Sequence, residues 1–229
     1  MIDYVVSAWD EDIELNILLP YIQRFLKPTD TLKVVLDTNR VTDSVKTIVA
    51  KYQIVPSFCE MHLGNPRTQI EHIKQQCSNN YIFFLCADEL PHVFLLTHMH
   101  FILTHNSKND GFSIPRMNLV ADNSTIPMRI YESKSVDKLE DHMLALFSDD
   151  SKKWYAWPDC QSRIIRNVDY ITYGPHTHAG MVGFRNIMSM PLDPQYGIYH
   201  IKTEARQAYM MQVYGHHISG TPMPGLYQR

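Results

Sequence analysis

The chain has 229 residues, of which 45% are hydrophobic and 20% are charged. This composition supports a packed core and excludes a disordered chain, and the net charge of −3 excludes a general attraction to nucleic acid or to anionic lipid. No apolar stretch approaches the roughly 20 residues that span a bilayer, and no basic segment precedes the first strand, so we expect a cytoplasmic protein. In that compartment we expect free thiols at the four cysteines, Cys59, Cys77, Cys86 and Cys160.

Strand and helix patterns alternate through the first hundred residues. Apolar runs predict strands, and stripes with helical spacing follow them, in the order strand 3–9, helix 13–25, strand 32–36, helix 45–52, strand 54–59, helix 66–77 and strand 81–87. Strand–helix repeats of this length form parallel, right-handed crossovers. We therefore predict an α/β fold with an open, mostly parallel sheet and helices on both faces.

Acidic residues follow three of these strands. Trp9-Asp10, Asp37 and Asp88-Glu89 all fall at carboxyl ends, where open α/β sheets bind their ligands. Two carboxylates at the end of a buried strand suit a hard divalent cation that bridges phosphates. The competing interpretation makes Asp88 the cap of a helix, since Pro91 follows closely.

The second half is less regular. Helical patterns lie at 91–105 and 135–147, and strand patterns at 112–120 and 126–131. After residue 150, aromatic, proline, glycine and histidine residues crowd together, which predicts long ordered loops over a site. We expect a last helix over 203–214 and an exposed tail after it.

Several segments, in order along residues 3–205, resemble one enzyme family. Residues 84–89 (F-L-C-A-D-E) look like the "D-A-D-E" signature of family-2 glycosyltransferases of GT-A fold, and residues 34–44 resemble that family's "V-V-D-D-x-S-x-D-x-T" stretch. Residues 157–167 (W-P-D-C-Q-S-R-I-I-R-N) look like the "Y-P-D-x-Q-x-R-L-F-R-N" of small glycan glycosyltransferases, and residues 115–118 resemble the Arg-x-Asn segment before it. His178 stands at the place of a "V-H-E" motif.

This resemblance implies a fold, a domain plan and an activity. One GT-A-like domain would span 1–229, with a nucleotide-sugar-binding half (1–110), an acceptor and metal-completing half (111–205), and a C-terminal helix and tail (206–229). The chain would move a sugar from a nucleoside-diphosphate sugar to a hydroxyl acceptor.

The resemblance also assigns donor-binding residues. Asp37 would accept hydrogen bonds from the base or the ribose, with Arg67 beside it. Arg163 and Arg166 suit phosphate because guanidinium groups bind it with two parallel hydrogen bonds, although ion pairs with the acidic first half are an equal alternative. The full predicted donor set is Ala8, Trp9, Asp37, Arg67, Ala87, Asp88, Arg163 and Arg166.

A metal site and a base are implied in the same way. Asp88 would ligate Mn²⁺ or Mg²⁺ across the diphosphate, and His178 or His200 would complete the site. Asp159 is the predicted general base and Glu89 the second choice; the alternative for Asp159 is a turn residue after Pro158.

The sequence departs from the family pattern at two positions, Cys86 in place of the first Asp of "D-A-D" and Ala179 in place of the Glu of "V-H-E". These departures motivate a rival hypothesis, a nucleotide-sugar or glycan-binding protein without turnover. A third hypothesis makes the acceptor a hydroxylated base in DNA, because residues 152–229 carry 8 Lys/Arg against 4 Asp/Glu, or +4.

Overall fold

The computed structural model describes residues 1–61, 66–121, 154–174 and 180–203, together with residues 206, 208, 209 and 212. The strand predicted at 126–131, the helix predicted at 135–147 and the candidate ligand His178 lie outside these residues.

The described elements follow the predicted alternation in the first half and are mostly strands in the second. The helices are α1 (Asp12–Gln23), α2 (Asp43–Lys51), α3 (Pro66–Gln76) and α4 (Val93–His105), with a 3₁₀ turn at Pro194–Tyr196. The strands are β1 (Ile2–Ala8), β2 (Thr31–Asp37), β3 (Ser57–Cys59), β4 (Tyr81–Cys86), β5 (Glu89–Pro91), β6 (Gly111–Ala121), β7 (Trp154–Arg166), β8 (Thr172–Tyr173), β9 (Met181–Val182), β10 (Ile187–Ser189) and β11 (Ile198–Thr203).

Among the described residues, nine strands form one mixed sheet in the order β3-β2-β1-β4-β7-β6-β11-β5, with β10 beside β6. The first four strands in this order are parallel, and β7 is antiparallel to both β4 and β6. The predicted α/β fold with a mostly parallel open sheet is confirmed.

The sheet is covered on both faces, and this explains the sequence of β4. One core cluster includes residues of α1, α2 and α4, and the other includes Ile70 and Ile73 of α3. Successive residues of β4 alternate between the two clusters, so Ile82 to Leu85 are all buried. A strand buried on both faces reads as a continuous apolar run, which is the signal that located it in the sequence.

The prediction of loops after residue 150 was wrong for residues 154–166. These residues form β7, which lies between β4 and β6 in the middle of the sheet. Asp159, Gln161 and Arg163 occupy alternate positions along the strand, and Cys160 and Ser162 lie between them. Polar residues on both sides removed the apolar alternation that normally identifies a strand.

Two element boundaries also differ from the prediction. Glu89–Pro91 is a short strand paired with β11, and α4 begins after it with His92 as its N-cap, whose Nδ1 accepts from the Phe94 N–H at 3.0 Å. Asp88 therefore caps no helix. At the carboxyl end, β11 continues through Thr203, and Arg206, Ala208, Tyr209 and Gln212 are helical.

Asp3 ties three parts of the sheet together. Its fully buried carboxylate accepts backbone N–H groups of Ser78 (2.9 Å) and Asn79 (2.8 Å), which precede β4, and the hydroxyl of Thr31, the first residue of β2.

We predict that Asp3→Ala lowers the free energy of unfolding by about 3 kcal/mol, because it leaves several buried donors without an acceptor. Urea denaturation measures the change. Asp43→Ala is the control, since the Asp43 side chain is 96% exposed, and it should change stability by less than about 0.5 kcal/mol. Equal losses in the two variants would contradict this role of Asp3.

Candidate active site

The candidate site lies where β1, β2 and β4 end, at Ala8, Asp37 and Cys86. Hydrogen bonds connect the loops that come after these strands. The Ala87 N–H donates to the Ser7 carbonyl at 3.0 Å, and the Thr42 N–H donates to the Trp9 carbonyl at 2.8 Å. β11 reaches the same edge, since the Ile201 N–H donates to the Asp88 carbonyl at 3.1 Å. This contact brings His200 to Asp88.

Asp88 and His200 face each other at this edge. Asp88 Oδ2 lies 3.3 Å from His200 Nε2, and the two side chains are 13% and 11% exposed. The other ring nitrogen, His200 Nδ1, lies 2.7 Å from Asn118 Oδ1 on β6. An amide oxygen only accepts hydrogen bonds, so Nδ1 carries a proton, and Nε2 faces the Asp88 carboxylate.

The charge of Asp88 is stabilised by its neighbours. Burial alone would raise the pKa of its carboxyl, but the positive charges of His200, Lys202 and Arg206 and the hydrogen bond from His200 outweigh burial and hold the pKa well below its usual range. Asp88 is therefore an anion at neutral pH.

Glu89 is buried completely and its oxygens are already occupied. Oε1 pairs with Arg116 Nη1 (3.1 Å) and with Arg163 Nη2, and Oε2 accepts the Cys86 N–H at 3.0 Å. Burial opposes its ionisation, yet the guanidinium groups of Arg163 and Arg116 lower its pKa below the ordinary value. Glu89 thus holds Arg116 and Arg163 in place, and its contacts do not suit a general base.

Asp159 keeps one oxygen more open. Oδ2 accepts from Arg116 Nε (2.9 Å) and Nη2 and from Asn118 Nδ2 (3.0 Å), whereas Oδ1 accepts from Gln161 Nε2 at 2.6 Å. The side chain is 24% exposed. Burial raises the pKa of Asp159, but the donors Asn118, Arg116 and Gln161 lower it further than burial raises it. It is an oriented carboxylate beside the Asp88–His200 pair.

Asp37 is also saturated, and its cationic partner is Arg40. The carboxylate is 1% exposed and accepts from the N–H groups of Asn39 (2.8 Å) and Arg40 (3.1 Å) and from the Arg40 guanidinium. That guanidinium lies 4.3 Å from the ring centroid of Trp9, a cation–π contact.

A second cationic contact reaches the end of β1 from the carboxyl end of the chain. Arg206 donates to Asp10 Oδ2 (2.8 Å) and to Glu11 Oε1 (2.7 Å), and its side chain is 8% exposed. Burial raises the pKa of Glu11 to about 8 although Arg206 lowers it, with Asp10 and Asp88 raising it further. Nothing local in the sequence indicates this contact, which spans 196 positions.

The remaining residues predicted to bind the donor do not all lie at the candidate site. The side chains of Ala8 and Ala87 are buried in the core, so only their backbone can face a ligand. Arg67 is exposed on α3 and donates to the Tyr173 carbonyl at 3.3 Å. Arg166 leaves the candidate site: it pairs with Tyr81, the first residue of β4, at the opposite end of that strand, and donates to the Tyr81 hydroxyl at 2.8 Å.

Sequence reasoning did not identify five residues that shape the site. Arg116 and Asn118 lie in the segment that resembles the family's Arg-x-Asn, a signal that could have singled them out. Gln161, two residues after Asp159, could have been found from strand alternation. Arg40 and Arg206 had no comparable signal.

The Asp88–His200 pair fits a divalent cation. Ligand distances of about 2.1 Å place neighbouring ligands of an octahedral ion about 3 Å apart, close to the observed 3.3 Å. Within residues 1–61, 66–121, 154–174 and 180–203, no group of three or more His, Cys, Asp or Glu side chains could hold a metal ion. In the described part of the chain, no helix is long and apolar enough to cross a membrane.

Comparisons with known proteins identify the fold. Neither a protein-family model nor a curated protein matches this sequence. Among solved structures, TarS 1–349 from S. aureus in complex with UDP-GlcNAc matches with a TM-score of 0.56 at 16% identity, over 89% of this chain and 59% of that chain. The same protein alone matches over 93% of this chain at 15% identity, with a TM-score of 0.56, so the chain spans 63% of that structure.

A second structure covers the whole chain. Glucosyl-3-phosphoglycerate synthase from Mycobacterium tuberculosis, in complex with Mn²⁺, UDP-glucose and phosphoglyceric acid, matches with a TM-score of 0.53 at 11% identity, over 100% of this chain and 83% of that one. At these identities the matches establish the fold, which is that of GT-A glycosyltransferases.

We predict that Glu89→Gln destabilises the protein by about 3 kcal/mol at pH 7, since the largely buried Arg163 loses its counter-charge and Arg116 keeps only Asp159. The pKa of Glu89 is lowered by folding, so its contribution is complete above its ordinary value of 4.5 and is lost as the pH falls through the lower folded value. The difference from wild type should therefore shrink below about pH 4.5.

Urea denaturation between pH 3 and pH 7 measures this difference. Glu71→Gln is the control, because Glu71 is 56% exposed and 3.9 Å from Arg67. A difference between wild type and Glu89→Gln that is independent of pH would show that the ion pairs are not its cause.

Proposed function

We propose that this chain is a glycosyltransferase that uses a nucleoside-diphosphate sugar and a divalent cation, Mn²⁺ or Mg²⁺. The observation that carries the proposal is the contact between Asp88 Oδ2 and His200 Nε2, 3.3 Å apart at the carboxyl end of the parallel strands. The fold and the ligands named in the two similar structures, UDP-GlcNAc in one and Mn²⁺ with UDP-glucose in the other, support it.

An imidazole nitrogen and a carboxylate oxygen at this distance share either a proton or a cation. Asp88 and His200 would hold the cation, with His178 as a further ligand from outside the described residues. When bound, the cation neutralises the charge that builds on the leaving diphosphate.

The donor half of the site would be residues 1–110. Trp9 would stack against the base, and Asp37 would act through Arg40. Because Arg40 uses Nε and Nη2 on Asp37, its remaining nitrogen projects away from that carboxylate and is available to a nucleotide. Lys202 and Arg206, whose positive charges lower the pKa of Asp88, would help to neutralise the negative charge of the diphosphate.

The acceptor half would be residues 111–205, with Asp159 as general base. In the transfer, the acceptor oxygen bonds to the anomeric carbon as the bond to the diphosphate oxygen breaks, and the hydroxyl proton passes to Asp159 Oδ1. The low pKa of Asp159 suits a base that accepts the proton late, when the new bond has already acidified the hydroxyl. Arg163 would contribute by holding Glu89, behind the reacting groups.

One observation favours the alternative of a binding protein without turnover. Burial raises the pKa of Cys86 to about 12, so its thiol is neutral and supplies no charge at the position of the family's first Asp. For the other alternative, a hydroxylated base in DNA as acceptor, neither the described site nor the ligands of the similar structures offer support.

We predict that Mn²⁺ together with the correct nucleotide sugar raises the melting temperature by roughly 5–10 °C at 100 times Kd, because ligand binding stabilises the folded state. Asp88→Asn should abolish this rise. A thermal-shift panel of UDP-, GDP-, CDP- and dTDP-sugars with and without Mn²⁺ provides the measurement. The exposed Asp43→Asn serves as control, and an undiminished rise in Asp88→Asn would refute the metal role.

We predict that Asp159→Asn lowers the rate of nucleoside-diphosphate release about 10²–10⁴-fold while the thermal shift with donor and Mn²⁺ persists. The variant keeps the size of the side chain but removes the carboxylate, which is both the proposed base and a partner of Arg116. A rate within threefold of wild type would exclude Asp159 as the base.

Cys86→Asp separates enzyme from binding protein. Under the proposed function, wild type itself releases nucleoside diphosphate from the correct donor. Absence of release by wild type, combined with release by Cys86→Asp, would establish the binding protein instead.

A further inference from the structure

We infer that Arg40 determines which nucleobase the donor carries, and that it selects cytosine over uracil and thymine. The inference deepens the proposed function and rests on it for the position of the diphosphate at Asp88. Asp88 follows β4, whereas Asp37 and Arg40 lie at the end of β2, two strands away in the order β2-β1-β4. Neighbouring strands lie about 4.8 Å apart, so the ends of β2 and β4 are separated by about 10 Å. A nucleotide with its diphosphate at Asp88 would therefore direct the outer edge of its base toward Arg40.

The carboxylate of Asp37 has no acceptor position left for that base. Oδ1 accepts from the N–H groups of Asn39 (2.8 Å) and Arg40 (3.1 Å), and Oδ2 accepts from Arg40 Nε (2.8 Å) and Nη2. A carboxylate offers about four lone-pair positions, and these four donors use them. While Arg40 is in place, Asp37 cannot accept the N3–H of a uracil ring.

Backbone carbonyls next to Arg40 are engaged as well. The Trp9 carbonyl accepts from the Thr42 N–H at 2.8 Å. The Met61 carbonyl accepts from Arg40 Nη2 at 2.9 Å, so this nitrogen donates to both Asp37 and Met61. Within the described ranges, Nη1 is then the guanidinium nitrogen of Arg40 that keeps both of its hydrogens for a ligand.

Trp9 determines how a base would meet this nitrogen. The guanidinium carbon of Arg40 lies over the indole ring, 4.3 Å from its centroid, and the Arg40 side chain is 17% exposed. A base that stacks on the same ring lies at the height of the guanidinium, so the edge of the base, rather than its face, meets Nη1. Arg40 thus selects by the donors and acceptors along that edge.

The pyrimidine bases differ at N3. Cytosine presents two adjacent acceptors, N3 and O2, which suit the two hydrogens of Arg40 Nη1. Uracil and thymine carry a hydrogen on N3 between O2 and O4, so an oxygen that approaches Nη1 brings this N–H toward the guanidinium and the saturated Asp37. A buried donor without an acceptor lowers affinity by about 10-fold or more.

Calorimetry of the full chain with Mn²⁺ and CDP, UDP, dTDP or GDP tests the inference. Wild type should bind CDP about 10-fold more tightly than UDP or dTDP. GDP should also bind more weakly than CDP, because the corresponding edge of guanine carries N1–H and an amino group. The diphosphate of 2-pyrimidinone riboside retains N3 and O2 and lacks the amino group of cytosine, so its Kd should lie within about threefold of that of CDP.

Two variants, Arg40→Gln and Arg40→Leu, should reverse the preference. Each removes the guanidinium from Asp37 Oδ2, and the N3–H of uracil can donate there instead, so UDP should bind more tightly than CDP by a similar factor. Melting without ligand shows whether the variants fold. Arg24→Gln is the matched control: it removes an exposed positive charge at the carboxyl end of α1, whereas the site lies at the beginning of that helix, and it should keep the preference for CDP.

The outcomes separate this inference from the proposed function. If wild type binds UDP or dTDP at least as tightly as CDP, or GDP more tightly, the inference is wrong and the glycosyltransferase proposal stands. A preference for CDP that persists in folded Arg40→Gln or Arg40→Leu also overturns the inference. If both variants unfold, the wild-type series with the pyrimidinone decides. Absence of binding by all four nucleotides would contradict the proposed function, and the inference with it.

Discussion

The site depends on one electrostatic constraint, the complete burial of Glu89 directly after the central parallel strand. A carboxylate removed from water at this depth requires cationic partners, which Arg116 and Arg163 supply from β6 and β7. β7 lies beside β4 and β6 lies beside β7, so both strands bring their polar side chains to this part of the sheet. Arg116 also binds Asp159, so the ion pair that permits the burial of Glu89 orients a second carboxylate at the edge of the sheet.

The acids that gather at this edge differ in what remains available on them. Asp37 and Glu89 have their oxygens occupied by backbone N–H groups and guanidinium nitrogens, so Asp37 holds one arginine and Glu89 holds two. Asp88 and Asp159 keep a lone pair beyond their contacts and are partly exposed. All four residues are carboxylates on neighbouring strands, so residue type alone does not tell their roles apart. The availability of a carboxylate oxygen does: the saturated acids have structural roles, and the acids with an available lone pair are the candidates for chemistry.

The sequence predicted the first half well because its signals are local. The apolar run of β4, the stripes of α2 and α3 and the acids after β1, β2 and β4 each follow from short-range spacing, and parallel topology brings the acids together. It failed at β7, where polar residues on both sides conceal the strand period. It also missed Arg40 and Arg206, because the partner of a buried acid is decided by tertiary packing. The predicted role of Arg166 failed on orientation: residues 163 and 166 lie close in sequence, but a strand carries them toward opposite ends of the sheet.

The contact of Arg206 with Asp10 and Glu11 bears on how the protein is made. The two acids are synthesised almost 200 residues before the cation that balances them. A nascent or truncated chain that already contains β1 to β4 would present uncompensated negative charge where a nucleotide would have to approach. Competence to bind an anionic ligand would then develop only after Arg206 has been synthesised.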